Sequence, residues 1–368
     1  MASKPTINIA VIGAGLIGPR HASAIQKTPG ARLVCLIDPS ASAATVAESF
    51  SVPLYSSLDN ALSSDITIDA AVVSTPNHTH VSLTIELLRA NLPVLVEKPL
   101  STSLVSAQPL VDYMISNPSH PPILVGHHRR FNPYMTSTKA LLTSMALGRV
   151  IAVSGTWCTS KPASYFLPPT QWRASSSSGG VVRINLIHDI DCLQYLLGPV
   201  IRVSAEKMKS VRGHEAEGGA AVLLRFESGV VGTFVVCDGV ASARNFESGT
   251  GENPLIPQGG REFLRIFGTQ SSVGVGGDGG LEKFIEQDGQ EWGWGCDVAE
   301  SKLEFDKSVV PFEEQMKHFV KVVRREEKPL CSVRDGLRAV AVCEAVIEAM
   351  ETNTSVDVVD AEYRFAIP

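Results

Sequence analysis

Apolar residues follow two different patterns along this chain, and the change comes near residue 150. In the first part, short apolar runs alternate with segments in which apolar residues recur at helical spacing. The apolar runs are 7–12, 33–37, 70–73, 93–96 and 123–126. Strands that alternate with helices in this way are typical of a parallel sheet with helices on its faces. The pattern therefore predicts an α/β domain in the first part of the chain.

In the second part, apolar and polar residues alternate along runs that turn sequences separate. The predicted strands are 151–157, 200–208, 220–226, 230–236 and 263–267. The short turn at 227–229 favours antiparallel pairing of the two strands that it joins. We expect a large, mostly antiparallel open sheet with helices on one face, and a second subunit covering its other face. A homodimer or homotetramer is the expected assembly.

A Gly-x-Gly-x-x-Gly motif directly follows the first predicted strand. Gly13 permits a tight turn, Gly15 leaves the backbone open to a pyrophosphate, and Gly18 lets the next helix pack closely on the strand. The motif predicts a dinucleotide-binding loop with contact residues Gly13, Gly15, Leu16, Ile17 and Gly18. The alternative is a glycine-rich turn that binds nothing. The strand, the glycines and an acid further along together favour the loop.

That acid is Asp38, which ends the second predicted strand about twenty residues after the last glycine of the motif. A carboxylate at this position accepts hydrogen bonds from the adenosine ribose of a dinucleotide. Because Pro39 and Ser40 follow it and offer no cation for a 2′-phosphate, we expect NAD rather than NADP. Arg20 is the nearby basic residue that could reverse this preference.

Polar residues follow two later strands of the predicted parallel sheet. They are Ser74, Thr75, Asn77 and His80 after one strand, and Glu97 and Lys98 after the next. Ligands of open parallel sheets bind at the carboxyl ends of the strands, so we expect these residues to contact the cofactor, with Thr75 and Asn77 on its nicotinamide side. The alternative for Thr75-Pro76-Asn77 is turn chemistry, with Thr79 as a helix cap.

Lys98 is the candidate for proton transfer in this part of the chain. A lysine at a strand end, beside a proline that stiffens the backbone, would lie near the reactive end of a dinucleotide. The alternative is that Glu97 and Lys98 form a solvated charge pair at the surface.

A second polar cluster lies in the later part of the chain, around a pair of glycines at 179–180. Asn185 and His188 are three residues apart at the start of a predicted helix, so they can share one face of it. The alternative is that Asn185 caps the helix and His188 pairs with a nearby acid.

Taken together, these motifs resemble those of the glucose-fructose oxidoreductase, inositol dehydrogenase and MocA family. The matching segments are 13–18, 97–99, 126–133, 172–173 and 179–191, in that order. The resemblance implies an NAD(P)-binding Rossmann domain over residues 1–125. It implies an α/β domain for substrate binding and oligomerisation over residues 126–368.

The resemblance also implies hydride transfer to or from sugars, cyclitols and related polyhydroxy compounds. Lys98 matches the family's catalytic lysine and His188 its catalytic histidine. The cofactor-binding residues implied are Trp172 and Arg173, and the substrate-binding residues implied are Arg129, Asn185 and Asp189.

One position departs from the family pattern. Inositol-dehydrogenase-like members carry an aspartate four residues before the catalytic histidine, where this chain has Ile184. The substrate and the sharing of proton transfer are therefore left open. A second hypothesis is a regulatory relative that binds the cofactor without turnover, although Lys98 and His188 favour the enzyme.

Composition narrows the classes of function further. The chain has 368 residues, a formal net charge of -6 and no broad basic segment, which disfavours nucleic acid and anionic membranes as partners. The N-terminal apolar stretch follows one lysine and is broken by glycines, unlike a signal peptide or membrane span. The seven cysteines form no C-x-x-C pair, so we expect no metal site. A cytoplasmic enzyme acting on a small molecule is the expectation.

Overall fold

A computed structural model describes residues 4–168, 170–277, 279–285, 293–303 and 305–358. The chain divides into two compact units. The first comprises the described residues of 4–132 and 308–340, and the second those of 133–307 and 341–358.

The helices and strands are numbered in chain order. The strands are β1 (Ile7–Ile12), β2 (Ala31–Ile37), β3 (Leu54–Tyr55), β4 (Ala70–Val73), β5 (Val94–Glu97), β6 (Ile123–Gly126), β7 (Val150–Cys158), β8 (Val200–Lys207), β9 (Gly219–Phe226), β10 (Val231–Cys237), β11 (Leu264–Gly268), β12 (Ser271–Val275), β13 (Gly280–Phe284), β14 (Val298–Lys302) and β15 (Val356–Asp357). The α-helices are α1 (Gly18–Lys27), α2 (Ala43–Phe50), α3 (Leu58–Leu62), α4 (His80–Arg89), α5 (Leu104–Ser116), α6 (Pro133–Thr143), α7 (Ile187–Leu197), α8 (Phe246–Thr250), α9 (Pro311–Val323) and α10 (Val333–Thr352).

The first unit contains a parallel six-stranded sheet with the order β3-β2-β1-β4-β5-β6. The strand order reverses between β1 and β4, which lie side by side, and such a reversal is where open parallel sheets bind ligands. All residues of β4, β5 and β6 are buried. The prediction of a Rossmann-type parallel sheet in the first part of the chain is confirmed.

The second unit contains a nine-stranded sheet with the order β14-β13-β12-β11-β7-β10-β9-β8-β15. Its described pairs are antiparallel apart from β7 and β10, which run parallel. The turn predicted at 227–229 joins β9 to β10, with the Phe226 amide donating to the Val230 carbonyl at 2.9 Å. The prediction of a large, mostly antiparallel sheet is confirmed.

One face of this second sheet is buried and the other is exposed along its central strands. Val222, Leu224 and Phe234 are buried, whereas Leu223 and Val235 on the opposite face are exposed. Burial therefore alternates with the period of two that the sequence predicts.

None of the helices in the part of the chain that the structure describes combines the length and apolar character needed to cross a bilayer.

Candidate functional site

The glycine loop between β1 and α1 has three glycines with different surroundings. Gly13 has a φ of +96°, and a Cβ there would lie 2.6 Å from the Ser74 carbonyl oxygen. A Cβ at Gly18 would lie 2.0 Å from the Gly13 carbonyl oxygen. The first and third glycines are therefore required by the fold itself, since any larger residue would collide with backbone.

Gly15, the middle glycine, faces open space. Nothing lies within 4 Å of a Cβ built there, and the neighbouring Leu16 is exposed. The backbone before α1 is thus accessible, as the pyrophosphate of a dinucleotide requires. This part of the structure fits a dinucleotide.

Asp38 follows β2 and forms a hydrogen bond to the glycine loop. Its Oδ2 accepts a hydrogen bond from the Ala14 amide at 2.8 Å, and its Oδ1 accepts one from the Ser40 amide at 2.8 Å. A carboxylate has about four acceptor positions, so Asp38 keeps capacity for ribose hydroxyls. The bond to Ala14 shows that Asp38 also holds the glycine loop in place.

Polar side chains after β4 mostly bond to nearby backbone. The Ser74 hydroxyl donates to the Gly13 carbonyl at 2.9 Å, which ties this strand end to the glycine loop. The Thr79 hydroxyl donates to the Pro76 carbonyl at 2.8 Å and makes no side-chain cap on α4. Thr79 is the N-cap residue of α4, as the alternative interpretation predicted, but its hydroxyl bonds to the turn and not to an amide of the helix. The cofactor contacts of Ser74, Thr75 and Asn77 stay predictions.

His80 links the chain after β4 to the chain after β5. Its Nε2 lies 2.9 Å from the Thr75 carbonyl and its Nδ1 lies 2.8 Å from the Pro99 carbonyl, and the ring is almost fully buried. Burial lowers the pKa of His80, while the two carbonyl acceptors favour its protonated form. His80 thus fixes the spacing of two strand-end segments, and its contact with a cofactor stays a prediction.

Glu97 is buried at the end of β5 and receives a hydrogen bond from His21 of α1, with Nε2 and Oε1 2.7 Å apart. Burial alone would raise the pKa of Glu97, but the bond from His21 and the charges of His21, His128 and Lys98 bring it down to about 2. The interpretation of Glu97 as half of a solvated surface pair is therefore wrong. The sequence analysis missed His21, whose signal is a histidine on the buried face of α1.

Lys98 follows directly and is half-buried. Its backbone amide donates to Glu97 Oε2 at 3.1 Å, so the buried pair also holds the backbone that carries the lysine. His21 and His128 pack against Phe312, with ring centroids 5.2 and 4.4 Å away. The end of β5 is thus fixed by a buried network that leaves Lys98 partly accessible.

Arg129, predicted to bind substrate, lies in a short 3-10 helix and is only 2% exposed. The next residue, Arg130, donates to the Leu330 carbonyl at 2.7 Å and lies 3.7 Å from Asp335. The segment is therefore packed into the first unit, and the role of Arg129 toward substrate stays a prediction.

In the second unit, a π-helix over Val182–Leu186 runs directly into α7. Asn185 lies inside this π-helix, so the interpretation of Asn185 as the cap of the following helix is wrong. The helical segment begins earlier, where Glu217 Oε1 accepts from the Val182 amide at 2.9 Å. Gly180 makes room for that carboxylate, because a Cβ there would lie 2.1 Å from Oε1.

His188 and Asp189 lie in the first turn of α7 and are 8% and 3% exposed. Asn185 Oδ1 accepts a hydrogen bond from Lys161 Nζ at 2.7 Å, and Lys161 lies 3.2 Å from Asp238. The sequence analysis missed Lys161 and Asp238. They follow β7 and β10, whose parallel pairing brings both strand ends to one edge of the sheet.

Trp172 is exposed, whereas Arg173 stacks over the Tyr165 ring with its guanidinium carbon 3.9 Å from the centroid. Arg173 also donates to the Tyr165 carbonyl at 3.2 Å. The cofactor contacts of both residues stay predictions, as do the roles of Lys98 and His188, which lie in different units.

Family models match most of the chain. Residues 7–119 match the oxidoreductase family, NAD-binding Rossmann fold, and residues 139–358 match the C-terminal alpha/beta domain of the same family. The chain belongs to the GFO/IDH/MocA oxidoreductase family. The family resemblance inferred from the sequence motifs is confirmed.

Individual relatives in this oxidoreductase family are distant. An inositol 2-dehydrogenase from Mycolicibacterium gilvum is 28% identical over 364 residues, covering 96% of this chain and 93% of that protein. The match to an uncharacterized oxidoreductase of Streptococcus pneumoniae (28% identical) covers 52% of this chain and 50% of that protein. The match to an inositol 2-dehydrogenase of Rhizobium meliloti (29% identical) covers 52% of this chain and 56% of that protein. The chain thus spans about half the length of these two relatives.

Solved structures share the fold over nearly the whole chain. A levoglucosan dehydrogenase in complex with NADH has a TM-score of 0.79 at 18% identity, covering 96% of this chain and 100% of that one. An oxidoreductase from Agrobacterium radiobacter in complex with NAD+, L-tartaric acid and magnesium has a TM-score of 0.77 at 19% identity. The match covers 96% of this chain and 98% of that one.

The buried pair of His21 and Glu97 makes stability depend on pH in acid. The pKa of Glu97 is about 2 in the folded chain against 4.5 ordinarily. The contribution of ionised Glu97 to the free energy of unfolding is therefore complete above about pH 4.5. It is lost as the pH falls toward about 2, which lowers the free energy of unfolding by about 3 kcal/mol. We expect Glu97→Gln to be less stable at neutral pH and to show a flatter pH dependence in this window, measured by urea unfolding followed by circular dichroism.

Glu48→Gln, at an exposed position on α2, is the matched control and should follow the unmodified chain. Parallel stability profiles for Glu97→Gln and the unmodified chain between pH 4.5 and 2 would contradict this account of the pair.

Proposed function

We propose that this protein is an NAD-dependent oxidoreductase that transfers a hydride between nicotinamide and a carbinol or carbonyl carbon of a sugar, cyclitol or related polyhydroxy compound. The observation that carries the proposal is the position of Lys98. It stands at the carboxyl end of β5, in the sheet whose strand order reverses beside the glycine loop. Family membership and relatives named as inositol 2-dehydrogenases support the same class of reaction.

The cofactor, when bound, supplies the carbon that accepts or donates the hydride. Gly15 and the amides that open α1 would hold its pyrophosphate, and Asp38 its adenosine ribose. Asp38, an acceptor with no cation directly after it in the chain, supports NAD over NADP.

In the proposed mechanism, Lys98 takes the proton from the reacting hydroxyl during oxidation and returns it during reduction. The hydrogen bond from the Lys98 amide to Glu97 holds the lysine backbone at the end of β5, so its neutral amine, the form that accepts a proton, moves by side-chain rotation. His188, in the first turn of α7, is the second proposed proton-transfer group. Asn185 orients the substrate through its amide.

A regulatory relative without turnover is the second candidate, and Ile184 is the observation that favours it. An apolar residue at this position removes one acid from proton transfer. Incubation of the protein with NAD+ and a panel of sugars, cyclitols and sugar acids, and with NADH and their keto forms, separates the two candidates. A change in nicotinamide absorbance with any member identifies the enzyme, and no change with all of them supports the regulator.

Replacing Lys98 tests the proposed mechanism. We expect Lys98→Ala to bind NAD almost normally and to lose turnover by about 10²- to 10⁴-fold, as is typical for general acid-base groups. His188→Ala should lose activity as well. Asn185→Ala should lower kcat, and its melting temperature should also fall because buried Lys161 loses a hydrogen-bond partner. Lys27→Ala, at an exposed lysine of the first unit, is the control. Turnover of Lys98→Ala at the unmodified rate with saturating substrate would refute the mechanism.

Cofactor preference has its own test at Asp38. We expect the unmodified protein to bind NAD more tightly than NADP, and Asp38→Ala to raise the Kd for NAD by about 10- to 100-fold, since a charged acceptor is lost. Calorimetric titration measures both constants, with Asp65→Ala at an exposed position as the control. Tighter binding of NADP to the unmodified protein would contradict the assignment.

We also propose that the exposed face of the second sheet is buried between subunits, because large apolar patches are rarely left uncovered. Leu223 and Val235 on neighbouring strands are 47% and 38% exposed on this face. We expect Leu223→Glu to shift the sedimentation equilibrium toward monomer, whereas Leu62→Glu, at an exposed leucine of α3, should not. A monomeric unmodified protein at micromolar concentration would overturn the proposal.

A further inference from the structure

The second unit holds a cluster of cations that the proposed mechanism leaves unused. The charged residues around one small cavity in this unit are Lys161, Arg173, Lys209, Arg212, Glu217 and Asp238. Among the described residues that line this cavity, four are thus cationic and two are acidic. The cavity volume is about 20 Å³, which is roughly the space that one ordered water needs.

Lys161 and Arg212 share one carboxylate. Lys161 Nζ lies 3.2 Å from Asp238 Oδ2, and Arg212 Nη1 lies 2.6 Å from Asp238 Oδ1. The side chains of Lys161 and Asp238 are only 9% and 5% exposed. One buried acid therefore faces two cations, and a buried charge without a counter-charge is costly.

The remaining acid does not balance this excess. Glu217 accepts a hydrogen bond from the Val182 amide at the start of the π-helix, and burial raises its pKa, which favours the neutral form. Arg173 adds a further cation, and both it and Lys161 lie over the Tyr165 ring, at 3.9 and 4.6 Å from the centroid. Burial lowers the pKa of Lys161 although Asp238 opposes this, and Arg173 and Arg212 lower it further. Among the described residues that line the cavity, positive charge therefore exceeds negative charge.

The cavity adjoins the helical segment that carries the proposed catalytic histidine. Ile184 lines the cavity and stands one turn before His188 on the continuous π-helix and α7. Asn185, bonded to Lys161, lies between them in the chain. A group bound by Lys161 and Arg212 would therefore lie beside this segment.

We propose that Lys161 and Arg212 bind the carboxylate of the substrate, so that the enzyme acts on a polyhydroxy acid rather than on a neutral sugar or cyclitol. This inference rests on the proposed oxidoreductase function. Ammonium and guanidinium groups form short, charge-assisted hydrogen bonds to carboxylates. Carboxylate and phosphate groups offer these cations the same chemistry, and matched substrates distinguish the two.

Matched substrates test the proposal on the unmodified NAD-loaded enzyme, so that no variant has to fold. The panel contains uronic acids, their methyl esters, the parent neutral sugars and the corresponding sugar phosphates. We expect kcat/KM for the acid to exceed that for its methyl ester by about 10- to 100-fold, because the ester lacks the charge. Equal use of acid and ester would overturn the proposal, and preference for the phosphate would overturn the choice of carboxylate.

Variants test whether Lys161 and Arg212 cause the preference for the acid over its methyl ester. Lys161→Met should lower the acid-to-ester ratio of kcat/KM by about tenfold or more, and Lys161→Arg should restore part of it. Arg212→Gln should act in the same direction and gives a second test if Lys161→Met folds poorly. Lys302→Met, at an exposed position on β14, should leave the ratio unchanged. An unchanged ratio in folded variants at both positions would contradict the assignment.

The failure of each proposal has a different signature. Turnover of neutral polyols with no preference for acids overturns the carboxylate pocket and leaves the oxidoreductase function standing. If no compound is turned over, the proposed function fails, and calorimetric binding of the uronic acids to the NAD-loaded protein still tests the pocket. Binding that is lost in Lys161→Met supports the pocket, and no binding to the unmodified protein refutes it.

Discussion

The hydrogen bond between His21 and Glu97 is the interaction on which the candidate chemistry of the first unit depends. It holds a carboxylate at the buried end of β5, and that carboxylate in turn accepts from the amide of Lys98. Removing either partner would leave a polar group buried without compensation, which typically costs more than the bond itself contributes. The position of Lys98 is therefore set by the buried pair of His21 and Glu97, and not by contacts at the accessible surface.

The glycine loop is also held in place before a ligand binds, in this case by close backbone packing and hydrogen bonds from neighbouring strands. Its first and third glycines have no room for a side chain, and the Asp38 carboxylate and the Ser74 hydroxyl bond to the loop from β2 and β4. Three neighbouring strands thus fix one loop at the point where the strand order reverses. A pyrophosphate would meet amides that are already oriented, so little ordering is needed on binding.

Local sequence patterns predicted the parallel sheet, the hairpin at 227–229 and the glycine loop, because each depends on residues that are close in sequence. They failed for Asn185, which lies in a π-helix. The spacing rules that place residues three apart on one face apply to α-helices, and a π-helix bonds residues five apart. The contact of His21 with Glu97 joins elements far apart in sequence, so a local pattern can show a histidine on the buried face of α1 but not its partner.

The buried charges of the two units differ in how they are paired, and this pairing affects which ligands each unit can bind. In the first unit, Glu97 has a histidine partner of its own, so the network is balanced before any ligand arrives. In the second unit, Asp238 is divided between Lys161 and Arg212, with Arg173 close by. Balanced charge serves to position a neighbouring group, whereas an excess of one sign favours a ligand of the other sign. Under the carboxylate proposal, the strand ends of β7 and β10 are therefore the part of this chain that would bind the charged group of the substrate.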